Sequence, residues 1–246
     1  MEFKKIKELI KNHVEISEDE LDDIFFQSNW NYKASNTNKL WKNSPITLND
    51  DWDNKLNYNE LGYRSDSFDV DKDGFLFLGC SMTEGYALEE YETWPWIVGE
   101  YFDVSVWNVA HSGEGDDVCL INAIKWIPKL KPKVVCMLIP PSGRFKFFDM
   151  EAYGKEFQSY ELKKKLKGDL NRLIYNNKHY YMSTLKNVLS ISSICKEYNI
   201  PFVCESWKVA SIKFPNPSMA DDGEHMGVEW QKSLSTHFIK EIDKCI

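Results

Sequence analysis

From residue 75 onward, short apolar runs alternate with stretches in which apolar positions recur every three or four residues. Phe75–Leu78 is an unbroken apolar run ended by Gly79. Val104–Trp107 is a second, ended by Asn108, and Lys133–Ile139 a third, stopped by Pro140 and Pro141. Phe202–Cys204 is a fourth. Runs without alternation suit strands covered on both faces, the condition of a parallel sheet. Between them the spacing predicts helices. One lies over Trp94–Phe102. The next carries Leu120, Ile121, Ile124 and Ile127 and stops near Pro128. A third carries Tyr181, Leu185, Val188, Leu189, Ser192 and Cys195 and ends at Asn199, and the last carries Trp230, Leu234, Phe238 and Ile242 at steps of four. Strands alternating with amphipathic helices, joined by right-handed crossovers, predict a three-layer α/β/α sandwich around a central parallel sheet, a flavodoxin-like α/β class.

The first 58 residues follow another pattern. Ile6, Leu9, Ile10, His13 and Val14 have helical spacing, Ser17 and Glu20 form a capping box, and Leu21, Ile24 and Phe25 line a second helix. Residues 28–58 are rich in Asn, Asp, Lys and Trp and show no period, so they read as an irregular arm. A polar, Lys-rich stretch at about 150–180 reads as an insertion. The expected organisation is an extension over 1–58 and one α/β domain over 59–246.

Composition narrows the function. At 43% apolar the chain of 246 residues is too hydrophobic to be mainly disordered. Its net charge is −8, and Arg occurs only at 64, 144 and 172, which argues against a nucleic-acid partner. The six Cys form no CxxC pair, so zinc ribbons and thioredoxin-type sites are not expected; four lie in apolar runs and read as reduced thiols of a cytoplasmic or other reducing compartment. The opening MEFKKIKELIKNHVE has no apolar core of a signal peptide, and no run is long enough for a membrane span. Asp69, Asp71 and Asp73 imitate the start of a calcium loop, but its twelfth position would be Cys80, so the segment reads as a polar turn.

In open parallel sheets the reactive groups collect at the carboxyl ends of the strands. The first strand ends in Gly79-Cys80-Ser81-Met82-Thr83-Glu84-Gly85, which places a serine on a tight turn before a helix. Cys80 is expected to pack under that turn, and Glu84 to favour a helix N-terminus. The second strand ends in Asn108-Val109-Ala110-His111-Ser112-Gly113, and Asp222 and His225 stand three apart before the last helix. A serine hydroxyl needs a base to become a nucleophile, and a carboxylate can orient an imidazole for that task.

These blocks resemble the SGNH/GDSL hydrolases, a superfamily of serine esterases and lipases. Phe77-Leu78-Gly79-Cys80-Ser81 is similar to the family's first block, with Cys80 in place of an Asp. Asn108 followed by Gly113 is similar to the second block, and Asp222-Gly223-Glu224-His225 to the last. Asn59-Glu60-Leu61-Gly62-Tyr63-Arg64 resembles the stretch that precedes the first strand. The resemblance implies Ser81 as nucleophile, His225 as base and Asp222 as its orienting acid. It implies an oxyanion hole of the Ser81 and Gly113 N–H groups. The family's third block supplies an Asn donor; here the third strand runs into Pro140-Pro141-Ser142-Gly143-Arg144, so Ser142 is the first candidate replacement and Arg144 the second. Asn108, His111 and Arg144 are the candidates for contact with substrate.

The resemblance thus implies a serine esterase that removes a small acyl group, such as acetyl from a carbohydrate, with neither metal nor organic cofactor expected. The expected partner is a small-molecule or carbohydrate ester, and the oligomeric state is left open. Two alternatives stand beside it: a catalytically weak glycan-binding or assembly module, and an acyltransferase using the same triad. Trp94, Trp96, Trp207 and Trp230 lie near the expected site, as core packing or as sugar platforms.

Overall fold

The computed structural model describes residues 57–141, 144, 177–207, 210 and 218–246. The expected helices and arm within residues 1–56, most of the polar stretch, and Ser142 lie outside the described residues.

Four strands form one parallel sheet: β1 (Gly74–Leu78), β2 (Ser105–Asn108), β3 (Val134–Ile139) and β4 (Phe202–Ser206), in the order β2-β1-β3-β4. The helices are α1 (Ser81–Glu84), α2 (Trp94–Phe102), α3 (Asp116–Leu130), α4 (Asn177–Glu197) and α5 (Val228–Ile242). Pleating sorts each apolar run between two cores. Phe75 and Phe77 face Trp94, Val98, Trp230, Leu234 and Phe238 of α2 and α5. Leu76 and Leu78 face Cys119, Ala123, Ile127, Ile191 and Cys195 of α3 and α4. The fold is therefore the expected three-layer α/β/α sandwich. The unbroken apolar runs are the cause: a strand buried on both faces has no polar side to alternate with.

The chain passes from β1 to β2 on one side, then crosses to β3 on the other. A crevice opens at such a reversal, outside the carboxyl ends of the strands. The β1–α1 turn stands there. It is tight because Gly79 carries no side chain; a Cβ would lie 2.0 Å from Thr83 Oγ1.

Two boundaries differ in instructive ways. α3 does not stop at Pro128 but continues to Leu130, where Lys131 takes φ 46° and donates to Ile127 O at 2.9 Å. The proline forgoes one helical hydrogen bond. Ile127 and Leu130 are both buried in the core, and that burial holds the last turn. α4 begins at Asn177, within the stretch expected as a polar insertion, and ends before Asn199, whose φ of 56° reverses the chain as expected.

The aromatic residues divide by layer. Trp94 and Trp230 are fully buried; Trp94 stacks on Phe238 at 4.3 Å and meets Phe77 edge-on at 5.2 Å. They are core residues and offer no face to a sugar. All six cysteines are free, with Cys80, Cys119, Cys136 and Cys195 buried and Cys204 and Cys245 exposed. Among the described residues no helix is long and apolar enough to cross a membrane.

Candidate active site

Ser81 opens α1, directly after β1, with Cys80 as the extended N-cap residue. Ser81 and Cys80 are both buried, Cys80 beneath the turn as expected. Burial pushes the Cys80 thiol up, against the pull of the Arg144 guanidinium and of hydrogen bonds from Met82 and Ser81. A thiol held protonated is a poor competitor to the serine as nucleophile.

Asp222 and His225 lie on the loop before α5. His225 Nδ1 stands 2.5 Å from Asp222 Oδ2, while Asp222 Oδ1 accepts the backbone N–H groups of Glu224 and His225, each at 2.9 Å. Partial burial works against the Asp222 carboxylate. The His225 backbone N–H, the Glu224 N–H and the imidazole outweigh it, so the acid is held below its ordinary range. Both carboxylate oxygens are engaged, which fixes the imidazole with Nδ1 toward the acid. In the tautomer with the proton on Nδ1, Nε2 is left with the lone pair a base needs.

Three contacts bring this loop to the rim occupied by Ser81. The Tyr86 ring packs on the His225 ring at 5.2 Å, and the Tyr86 N–H donates to Ser81 O at 3.1 Å. Gln231, on α5, donates from Nε2 to Met82 O at 3.2 Å and accepts the Trp94 N–H at 2.9 Å. Ala87, Leu88 and Ala220 form a small apolar cluster between the two loops. Tyr86 meets His225 and Gln231 meets Met82 across long stretches of chain, so local spacing could not single them out.

Gly113 has φ 82°, the left-handed region that glycine enters without strain. Among the described residues, neither its N–H nor that of Ser81 donates a hydrogen bond. Two main-chain donors are thus open at the carboxyl ends of β1 and β2. Arg144 lies close by: its carbonyl oxygen would be 2.3 Å from a Cβ on Gly115, so glycine there admits the returning chain. Among the described residues its Nη1 is buried without a hydrogen-bond partner.

Asn108 is a correction. Its side chain is buried and consumed by the backbone, donating from Nδ2 to Thr83 O at 2.9 Å and accepting the Ala110 N–H at 3.1 Å. It ties α1 to the second-strand loop, with its side chain buried away from solvent. His111 stacks on Tyr63 at 5.0 Å and directs Nδ1 toward Glu84, 3.7 Å away, which takes one edge of its ring out of the crevice.

The residues before β1 brace the same turn. Asn59 accepts the N–H groups of Leu61 and Tyr63 at 3.0 and 3.1 Å and closes a loop. Arg64 follows it, buried, and donates from Nη1 to Glu84 O at 3.2 Å and Gly85 O at 2.5 Å, and from Nη2 to Leu88 O at 2.6 Å. Burial lowers its pKa against the opposing charge of Glu84 and its neighbours. A planar five-donor fork suits this gathering of carbonyls as an ammonium would not.

Among the described residues no group of three or more His, Cys, Asp or Glu is arranged to hold a metal ion. No family model matches the sequence, and no curated protein matches it. Solved structures do resemble it in fold. The psychrotrophic esterase EstA of Pseudoalteromonas, solved with monoethylphosphonate as inhibitor, is 16% identical, with 70% of this chain and 97% of that one covered at a TM-score of 0.41. A GDSL-like lipase of Bacteroides thetaiotaomicron is 19% identical, with 71% and 89% covered at 0.35. A family two carbohydrate esterase of Clostridium thermocellum, solved with cellohexaose, is 13% identical, with 70% and 64% covered at 0.37.

Proposed function

We propose that the protein is a serine ester hydrolase acting on a small acyl ester, with O-acetyl groups on a carbohydrate as the first substrate class. The observation that carries this is the Asp222–His225 pair, with the acid engaged at both oxygens, on a loop joined to the Ser81 turn through Tyr86 and Gln231.

In this mechanism His225 Nε2 takes the Ser81 hydroxyl proton as the oxygen attacks the ester carbonyl. Asp222 holds the tautomer and stabilises the imidazolium that forms. The carbonyl oxygen becomes an oxyanion and is met by the Ser81 and Gly113 N–H groups, with Ser142 or Arg144 as third donor. His225 then returns the proton to the leaving alcohol. Water, activated by the same imidazole, attacks the acyl-enzyme and releases the acid. Each oxyanion donor contributes on the order of 10²–10³ in rate.

A panel of nitrophenyl esters of increasing chain length, followed by acetylated sugars, tests the proposal. Wild type should hydrolyse the acetyl ester fastest, and Ser81→Ala should abolish turnover. Hydrolysis unchanged in Ser81→Ala would overturn it. One observation favours a second reading. β3 is followed by two prolines where the resembled family carries an Asn donor. A catalytically weak glycan-binding module would bind the sugars without releasing acetate. Supplying a sugar acceptor and analysing products separates hydrolysis from acyl transfer.

A further inference from the structure

Glu84 is almost fully buried, three residues beyond Ser81 at the end of the four-residue α1. Its expected role, a favourable charge for a helix N-terminus, does not account for where its carboxylate goes. Oε2 accepts the Ser112 N–H at 2.7 Å and also the Ser112 hydroxyl. Oε1 accepts the Tyr58 hydroxyl at 3.2 Å and faces His111 Nδ1 at 3.7 Å. The Arg64 guanidinium does not take this carboxylate; it takes the main-chain carbonyls of Glu84, Gly85 and Leu88. The carboxylate therefore accepts from donors outside its own helix, most of them on the loop that carries Gly113.

That loop contains a tight turn. Glu114 donates its N–H to His111 O at 3.3 Å, which makes Ser112 and Gly113 the two central residues. The φ of 82° at Gly113 is the third-position value of a type II turn. Types I and II differ by rotation of the central peptide, and here that peptide carries the Gly113 N–H. The direction of this N–H is thus a two-state property of the turn. A residue that holds Ser112 by both its backbone N–H and its hydroxyl biases the choice.

We propose that Glu84 is a positioning residue for the oxyanion hole: through Ser112 it fixes the turn in the state that directs the Gly113 N–H toward the ester carbonyl oxygen. This rests on the proposed esterase reaction. The groups facing the carboxylate are the Tyr58 hydroxyl, His111 Nδ1 and the two Ser112 donors, with the Arg64 charge nearby on the main-chain carbonyls, so an acceptor-only ionised acid matches them. Burial opposes that ionised form, but His111 and the two Ser112 donors outweigh it and hold Glu84 below the ordinary carboxylate range. A glutamine keeps the shape but turns an NH₂ toward donors.

The test compares wild type, Glu84→Gln and Ser112→Ala, each checked for folding, in acetyl-ester hydrolysis and in inhibition by an alkylboronic acid, whose tetrahedral adduct needs the oxyanion donors. Glu84→Gln should lower kcat by about 10–100-fold, KM should change less than about twofold, and boronate affinity should fall in step with kcat. Ser112→Ala keeps its N–H bond and should show the same pattern with a smaller factor. If Glu84→Gln fails to fold, Ser112→Ala decides by the same readout. A folded Glu84→Gln with wild-type kcat and boronate affinity would overturn the proposal, as would a loss confined to KM. If wild type itself hydrolyses no ester, the esterase reading fails instead. The turn is then judged by amide hydrogen exchange at Ser112, whose N–H the carboxylate holds: faster exchange in Glu84→Gln supports the positioning role, and unchanged exchange refutes it.

Discussion

Two acidic residues serve the proposed site, and they do so from opposite kinds of surroundings. Asp222 is part-exposed and engages groups two and three residues away, beside a glycine with room around it among the described residues. A Cβ at Gly223 would meet nothing within 4 Å. Glu84 is buried, and its partners Tyr58 and Ser112 lie 26 and 28 residues distant. The first orients the His225 imidazole by local chemistry. The second joins the β1 and β2 loops and depends on the whole fold. A site can thus borrow precision from a short motif and from the core, and the two contributions should fail differently.

The largest effects should come from the local motif. Ser81→Ala or His225→Ala should lower kcat roughly 10⁴–10⁶-fold with little change in melting temperature, because each removes a reacting group from a site that packing holds open. Asp222→Asn should cost roughly 10³–10⁴-fold. With Oδ1 kept on the backbone N–H groups, the amide NH₂ faces Nδ1 and forces the proton onto Nε2, the wrong tautomer. Stopped assays on equal amounts of folded protein measure both. A loss of less than tenfold in Asp222→Asn would remove its role as orienting acid.

Much of this is legible in sequence, and the reason is range. Four apolar runs locate four strands, since burial on both faces leaves a continuous signature. Asp222 and His225 stand out because three residues of spacing suffice to join them. Ser81 stands out only in company: a serine after a strand most often caps a helix, and it is the order of the three blocks on the strand and helix ends that singles it out. Asn108 misleads: the asparagine itself is visible, but the Thr83 carbonyl that consumes it lies 25 residues away. Glu84 misleads for the same reason. Its one sequence signal is a lone carboxylate inside Gly79-Cys80-Ser81-Met82-Thr83-Glu84-Gly85, a segment otherwise free of charge. Pro128 misleads about the end of α3 because the burial of Leu130 is a tertiary fact.

Stability should sharpen the contrast at smaller magnitude. Gly85 and Gly223 both have positive φ, of 81° and 69°. At Gly85 a Cβ would also lie 2.1 Å from Thr93 Cγ2, whereas at Gly223 it meets open space. Gly85→Ala should therefore cost about 3 kcal/mol, combining backbone strain and overpacking, and Gly223→Ala about 1 kcal/mol from strain alone. Urea unfolding compares them; equal losses would contradict the difference in packing between the two regions.

The smallest effect is in pH. Glu84 is held below its ordinary range in the folded state, so its ionisation supports folding above about pH 4.5, and that support is lost as pH falls through the folded value. Glu84→Gln does not titrate. The gap in melting temperature between wild type and Glu84→Gln should be widest above about pH 5 and close as the solution is acidified below about pH 4. A gap that stays constant across this range would show that the carboxylate's charge contributes nothing to the packed loops.

The central claim is that Ser81 is a nucleophile activated by the Asp222–His225 pair. A fluorophosphonate probe, followed by peptide mapping of the adduct, tests it most directly, because phosphonylation needs both a reactive hydroxyl and its base. Wild type should carry a single adduct on Ser81 and Ser81→Ala none, with labelling at least about 10³-fold slower in His225→Ala. Folded wild-type protein that takes no label, or a label on another residue that persists in Ser81→Ala, would contradict it.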